Sequence, residues 1–216
     1  ALSYLDALDD RAGSDRPLRP RARIGKAQDA LAALPGFWPA ALLLTDLHEQ
    51  AGSPKKAVKP LETAFRNMPH ELLAMRLRTL WGVNEGTAAG RLMRLISDDG
   101  ALAAEGRRVV AAIALENGLV GEARRLIDEI EPAMRDAATW RLVARLATEG
   151  EVPDNAAEND ALREAGEAPR PRRWLCTSCQ LVHEAWQSHC SGCAGFATLD
   201  WRRPDGITPL ISSADE

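Results

Sequence analysis

Four glycines set a schedule along most of this chain. Gly52, Gly86, Gly118 and Gly150 stand 34, 32 and 32 residues apart, and Pro35 and Pro69 are also 34 apart. Between these breaks, apolar residues return at helical intervals. Leu119, Ala123, Leu126, Ile127 and Ile130 fall on one helical face, and Ile24, Ala27, Leu31 and Leu34 make a second stripe. A period of this length with a glycine turn in mid-repeat predicts helix–turn–helix units stacked in a row. Strand alternation is nearly absent before residue 168. Residues 1–168 therefore read as an all-α array with turns at the four glycines.

The best-formed unit runs from Trp38 to Glu71. Its first helix holds Ala41, Leu44, Thr45 and His48, and Gly52 turns the chain. Ser53 offers an N-cap to the second helix with Pro54 at its first position, and Ala57, Leu61 and Ala64 follow on the inner face. Pro60 lies beyond the first turn of a helix begun there, where a proline costs ~3 kcal/mol. A kink or a late start is the expected outcome. Small and apolar residues at these offsets, closed by Pro69, resemble the tetratricopeptide repeat. That resemblance implies a helical-hairpin solenoid whose concave face holds other proteins. The competing architecture is a plain helical bundle with incidental glycine spacing.

Charge and motif content narrow the function classes. The 216 residues carry a formal net charge of -4, so no global basic field recruits nucleic acid or anionic lipid. No run approaches the ~18 apolar residues of a membrane-spanning helix. The opening ALSYLDALDD lacks the basic and apolar regions of a secretion signal. Nucleophile-elbow, phosphate-loop, dinucleotide and H-E-x-x-H motifs are all missing, and a non-enzymatic protein is expected. His48 and His70 read as surface or capping residues. The basic run RPLRPRAR at 16–23 is offset by Asp6, Asp9, Asp10 and Asp15, which favours a solvated loop.

From residue 151 the chain loses apolar content, and it ends a Pro-rich stretch at Pro169-Arg170-Pro171-Arg172-Arg173. Such a segment is an extended spacer. It divides a helical domain, 1–168, from a C-terminal module, 169–216.

The module contains every cysteine of the chain: Cys176 and Cys179 as one C-x-x-C pair, Cys190 and Cys193 as another, with ten residues between. Two such turns can close a tetrahedron of thiolates around one ion. Soft sulfur in fourfold array selects Zn²⁺ or iron, and one Zn²⁺ per chain is the favoured reading over iron. Disulfides and a single redox C-x-x-C are the weaker alternatives, since nothing marks the chain as secreted and no α/β setting surrounds the pair. His183 and His189 could each replace a cysteine, but four thiols already saturate the ion. Trp174 and Trp186 read as a small core over the metal, with Trp201 left open. In paired knuckles a Gly commonly follows the second Cys, and here Gln180 and Ala194 occupy those places, which puts the ideal turn geometry in question.

The run Trp174, Cys176, Cys179, Trp186, Cys190, Cys193, then FATLDWRRP from Phe196 to Pro204, resembles the HemY family of alphaproteobacteria. The repeat-like unit EQAGSPKKAVKPLETAFRNMPH is similar to that family's tetratricopeptide region. The lipopolysaccharide assembly protein LapB shares the plan of helical repeats followed by a rubredoxin-type module. What the resemblance implies is a helper linked to haem biosynthesis, anchored by N-terminal helices to the inner membrane and facing the cytoplasm. This chain would then be the portion beyond that anchor, touching the membrane only through it.

Three function classes follow. A scaffold would hold haem-biosynthesis or envelope-assembly proteins on its concave helical surface. A rubredoxin-like carrier would use iron in the same site, although rubredoxins separate their pairs by a longer stretch. A nucleic-acid ribbon is disfavoured, because five Arg and five acidic residues balance over 169–216. The scaffold is preferred. Trp201 and the apolar tail residues Ile207, Leu210 and Ile211 are expected to pack on the helices or on a partner.

Overall fold

The structure is a computed structural model and describes residues 2–8, 19–97, 100–149 and 153–204. Within these, the chain forms α1 (Leu2–Leu8), α2 (Pro20–Ala33), α3 (Trp38–Gln50), α4 (Val58–Asn67), α5 (Glu71–Trp81), α6 (Glu85–Met93), α7 (Gly100–Glu116), α8 (Val120–Asp128), α9 (Ala137–Thr148) and α10 (Asn155–Glu167). Three short strands follow: β1 (Arg173–Cys176), β2 (Val182–His183) and β3 (Leu199–Arg202). The protein is thus mostly helical with a small C-terminal sheet. Among the described residues, every strand lies from Arg173 onwards.

Local chemistry explains where the helices start. His70, Asn84, Asp136 and Asp154 each accept a backbone N–H of the following first turn, at 2.8–3.2 Å. Ser53 does not cap through its side chain. Pro54–Ala57 forms a 3₁₀ turn and the α-helix proper begins at Val58. Pro60 then sits in the first turn, where its missing N–H has no intrahelical partner to lose. The late start expected from the sequence is what resolves the misfit.

Turns end the helices, with one displacement from the expected schedule. Gly52 and Gly118 adopt left-handed φ of 66° and 74°. After each, the next residue's N–H reaches back five residues, Ser53 to the His48 carbonyl at 2.8 Å and Leu119 to the Ala114 carbonyl at 2.9 Å. Gly86 is different. It is the second residue of α6, and the turn falls at Gly82, φ 58°, which closes α5. Gly150 and the tail residues Ile207, Leu210 and Ile211 lie outside the described residues.

Helices adjacent in sequence pack on each other, and α3, α5, α7 and α9 also touch in succession. Ion pairs stitch this row. Arg76 of α5 reaches Asp46 and Glu49 of α3 at 2.5 and 2.7 Å, and Arg108 of α7 reaches Glu71 of α5 at 3.0 Å. Arg108 is largely buried and is also paired with Glu105 at 2.6 Å. Burial counts against its guanidinium, but Glu105 and then Glu71 and Asp136 hold it firmly charged. His48 is a correction to the sequence reading: it is buried inside α3 rather than at the surface. No helix of the described residues is long and apolar enough to cross a membrane.

The sheet has the order β2-β1-β3 and is antiparallel throughout. Register places Trp174 opposite both His183 and Trp201, so these three side chains share one face. That face does not stand apart from the helices. One apolar core runs from Phe65, Leu77 and Leu126 of the helices to Trp174, Cys176, Cys190 and Leu199 of the sheet region.

Candidate metal centre

Two loops of the same backbone design bring the four thiols together. In the first, the Cys176 N–H donates to the Leu181 carbonyl at 3.0 Å and the Gln180 N–H donates to the Cys176 carbonyl at 3.0 Å. In the second, Cys190 donates to Gly195 at 3.0 Å and Ala194 donates to Cys190 at 2.8 Å. The offsets are identical, five and four residues. Both turns need a left-handed residue after the second cysteine, and Gln180 (φ 63°) and Ala194 (φ 56°) supply it without being glycine. The turn geometry therefore forms in full despite the side chains that the sequence places there.

The sulfur atoms sit at the spacing of a coordination tetrahedron. Cys176 Sγ lies 3.7 Å from Cys193 Sγ, and Cys179 Sγ lies 3.5 Å from Cys190 Sγ. All four lie within 4.8 Å of one another. A tetrahedron with Zn–S bonds of about 2.3 Å has edges of about 3.8 Å. A disulfide would need about 2.05 Å, and all four cysteines are free. The donor set and its geometry fit one soft, tetrahedral cation.

Electrostatics point the same way. N–H groups of Ser178 and Cys179 face Cys176 Sγ at 3.4 and 3.5 Å, and the Thr198 hydroxyl lies 3.2 Å from it. Thr198 first, then the Cys179 N–H, draws the Cys176 thiol down to about 5. At Cys179 the Leu181 N–H pulls the same way, but burial and the neighbouring sulfurs outweigh it and push the thiol up to about 12. At Cys193 the Gly195 N–H is likewise outweighed by burial and by Cys176, and the thiol is raised. Cys176 thus ionises most readily while Cys179 and Cys193 resist it, and four thiolates this close need a cation between them.

The two histidines of the module separate. His183, on β2, is buried with Nε2 3.4 Å from Cys190 Sγ. His189 lies against Phe196, ring centroids 5.2 Å apart, with Nδ1 3.1 Å from Ser188 Oγ. Among the described residues the cluster of possible ligand atoms contains the four thiols and neither histidine.

The tryptophans do more than cover the thiols. Trp186 packs edge-on against Tyr4 and Phe37, centroids 5.0 Å away in both cases. Trp174 lies 5.7 Å from Trp38, and Trp201 lies 6.2 Å from Trp38 and 5.2 Å from His70. His70 stacks on Trp38 at 4.2 Å. His70 is thus a capping residue, as expected, and a docking residue as well. Tyr4, Phe37, Trp38 and Thr198 were not singled out by spacing. Trp38 entered the sequence pattern only as the start of the best-formed unit, and Thr198 only within FATLDWRRP.

Fold and site together define a class: a predominantly helical protein that packs a four-cysteine metal-site candidate on its helices. No family model matches the chain. Over 205 residues it is 29% identical to a protein of Magnetospirillum gryphiswaldense described as a probable magnetosome protein, Mms48. The match covers 91% of this chain and 44% of that relative, so the chain spans less than half of the relative's length.

Proposed function

We propose that this chain is a non-enzymatic scaffold: a tetratricopeptide-like array of helical hairpins that holds a partner protein, locked by a structural Zn²⁺ ion. The observation that carries the reading is the docking of the thiol module. Trp174, Trp186 and Trp201 all face the helices, so the ion's architecture is spent on bracing the array. A structural zinc site of this kind is closed, with four protein ligands and no open position for chemistry. Cys176, Cys179, Cys190 and Cys193 would be those ligands. The row of α3, α5, α7 and α9 supports a stacked-hairpin array with an extended surface.

The partner class rests on likeness. The motif resemblance to the HemY family favours a helper of haem biosynthesis at the cytoplasmic face of the inner membrane, held there by an anchor outside this chain. The relative's name associates that protein with the magnetosome. Elemental analysis of the purified chain should find about one zinc per chain. Stoichiometric iron with visible sulfur-to-iron absorption would replace the scaffold's brace with a redox centre. Capture experiments with the anchored full-length protein should recover a partner whose binding survives substitution of exposed helical residues outside the array's inner face and fails inside it. Uniform insensitivity to such substitutions would remove the scaffold reading.

A further inference from the structure

We propose that His183 donates a hydrogen bond from Nε2 to the Cys190 thiolate, that Gln187 fixes the tautomer which makes this possible, and that the pair governs how fast the centre releases its ion. The inference rests on the metal reading above and adds a positioning role that four-cysteine spacing does not contain.

The geometry is specific. His183 is 7% exposed, held on β2 opposite Trp174. Its Nε2 faces Cys190 Sγ at 3.4 Å, and its Nδ1 faces Gln187 Nε2 at 2.5 Å. With the Gln187 amide nitrogen turned to the ring as it is here, Gln187 donates to Nδ1, and a neutral imidazole then carries its proton on Nε2. A metal-bound Cys190 thiolate would ask for the same arrangement, because a thiolate only accepts. Both neighbours of the imidazole therefore select one tautomer.

His183 is not a spare ligand. Its nitrogens are absent from the set of ligand atoms lying within 4.8 Å of one another, so the ring stands behind Cys190, outside the tetrahedron. From there its N–H joins that of Gly192, 3.4 Å from the same sulfur. Four thiolates on a dication leave a net charge of −2, with Cys176 and Cys190 on the buried side of the cluster. Donors at the sulfur spread that charge and hold Cys190 in the ligand set. Outer donors of this kind alter metal retention by about 10–100-fold.

The test uses zinc-loaded protein and a competing chelator, with nitrogen-15 spectra of the histidine rings. The expected spectrum shows His183 protonated at Nε2. His183→Phe, which keeps a planar ring but no donor, should speed zinc release by about 10–100-fold. His183→Gln, which restores an N–H, should recover part of the retention, and Gln187→Leu should give an intermediate rate with a mixed tautomer. A chain that binds no zinc would overturn this inference and the metal reading together. A zinc-bound chain with His183 protonated at Nδ1, or with His183→Phe releasing zinc at the parent rate, would overturn this inference alone.

Discussion

Ala194 holds φ at 56°, a conformation in which an L side chain crowds its own carbonyl. That strain costs roughly 1–2 kcal/mol, and the four-thiol cluster holds it in place. Glycine relieves the crowding but has more freedom to lose on folding, about 0.4–1 kcal/mol. Ala194→Gly should therefore stabilise zinc-loaded protein by about 0.5–1 kcal/mol in chemical denaturation, and a loss of stability would refute the strain. Gln180 is not an equivalent site, because its side chain bridges Thr177 and Arg202 at 3.2 and 3.0 Å. His70 carries a second residue-scale prediction. Burial, opposed in part by Glu71 and reinforced by Arg108 and Arg173, lowers its imidazole from 6.5 to about 4. Its neutral Nδ1 accepts the Leu72 N–H at 3.2 Å, which the protonated ring could not do. Unfolded chains take up this proton first as pH falls, so stability is complete above pH 6.5 and is lost between 6.5 and 4. The loss should reach about 2–3 kcal/mol. His70→Asn keeps an N-cap without a titrating ring and should flatten the slope across that window; an unchanged slope would assign the pH dependence elsewhere.

At the scale of elements, Gly82 and Gly86 separate a turn from a coincidence. The 32–34-residue spacing selects Gly86, yet Asn84 caps α6 with its Oδ1 2.9 Å from the Thr87 N–H, which commits Gly86 to the helix. Gly82, four residues earlier, carries the left-handed φ of 58°. Gly82→Ala should cost about 1 kcal/mol, whereas Gly86→Ala should be neutral or stabilising. A thermal melt of each variant decides it, and the reverse order would restore the turn to Gly86. The error has a physical source. Period alone cannot tell a helix-ending glycine from one in a first helical turn, whereas the N-cap residue can. Apolar periodicity made α4 and α8 legible, since Leu61, Ala64, Ala123 and Leu126 point to one core; in α2 the stripe holds for Ala27, but Leu34 follows the helix and is exposed. Ser53-Pro54 misled for a related reason: its turn is 3₁₀, and the α-helix waits until Val58.

Across the whole molecule, the ligand set was legible because C-x-x-C spacing is a local code, while the docking was not. Tyr4, Phe37, Trp38 and His70 lie more than a hundred residues from Trp174, and no pattern in the sequence links them. The division into a helical domain and a separate module predicts that disrupting the centre leaves the helices indifferent. The continuous core from Phe65 to Leu199 argues otherwise. Ring pairs of the kind that Trp174, Trp186 and Trp201 make are worth about 0.5–1.5 kcal/mol each beyond their buried area. Without metal, a segment this short lacks the core to keep those rings in register. Removing the ion with a strong thiol-competing chelator should therefore leave most helical circular dichroism intact at 25 °C but lower the helical melting temperature by about 5–10 °C. Trp201→Ala should reproduce part of that drop while retaining the metal. Helices that melt at the same temperature with and without the ion would mean that the module is cargo on the array rather than its brace.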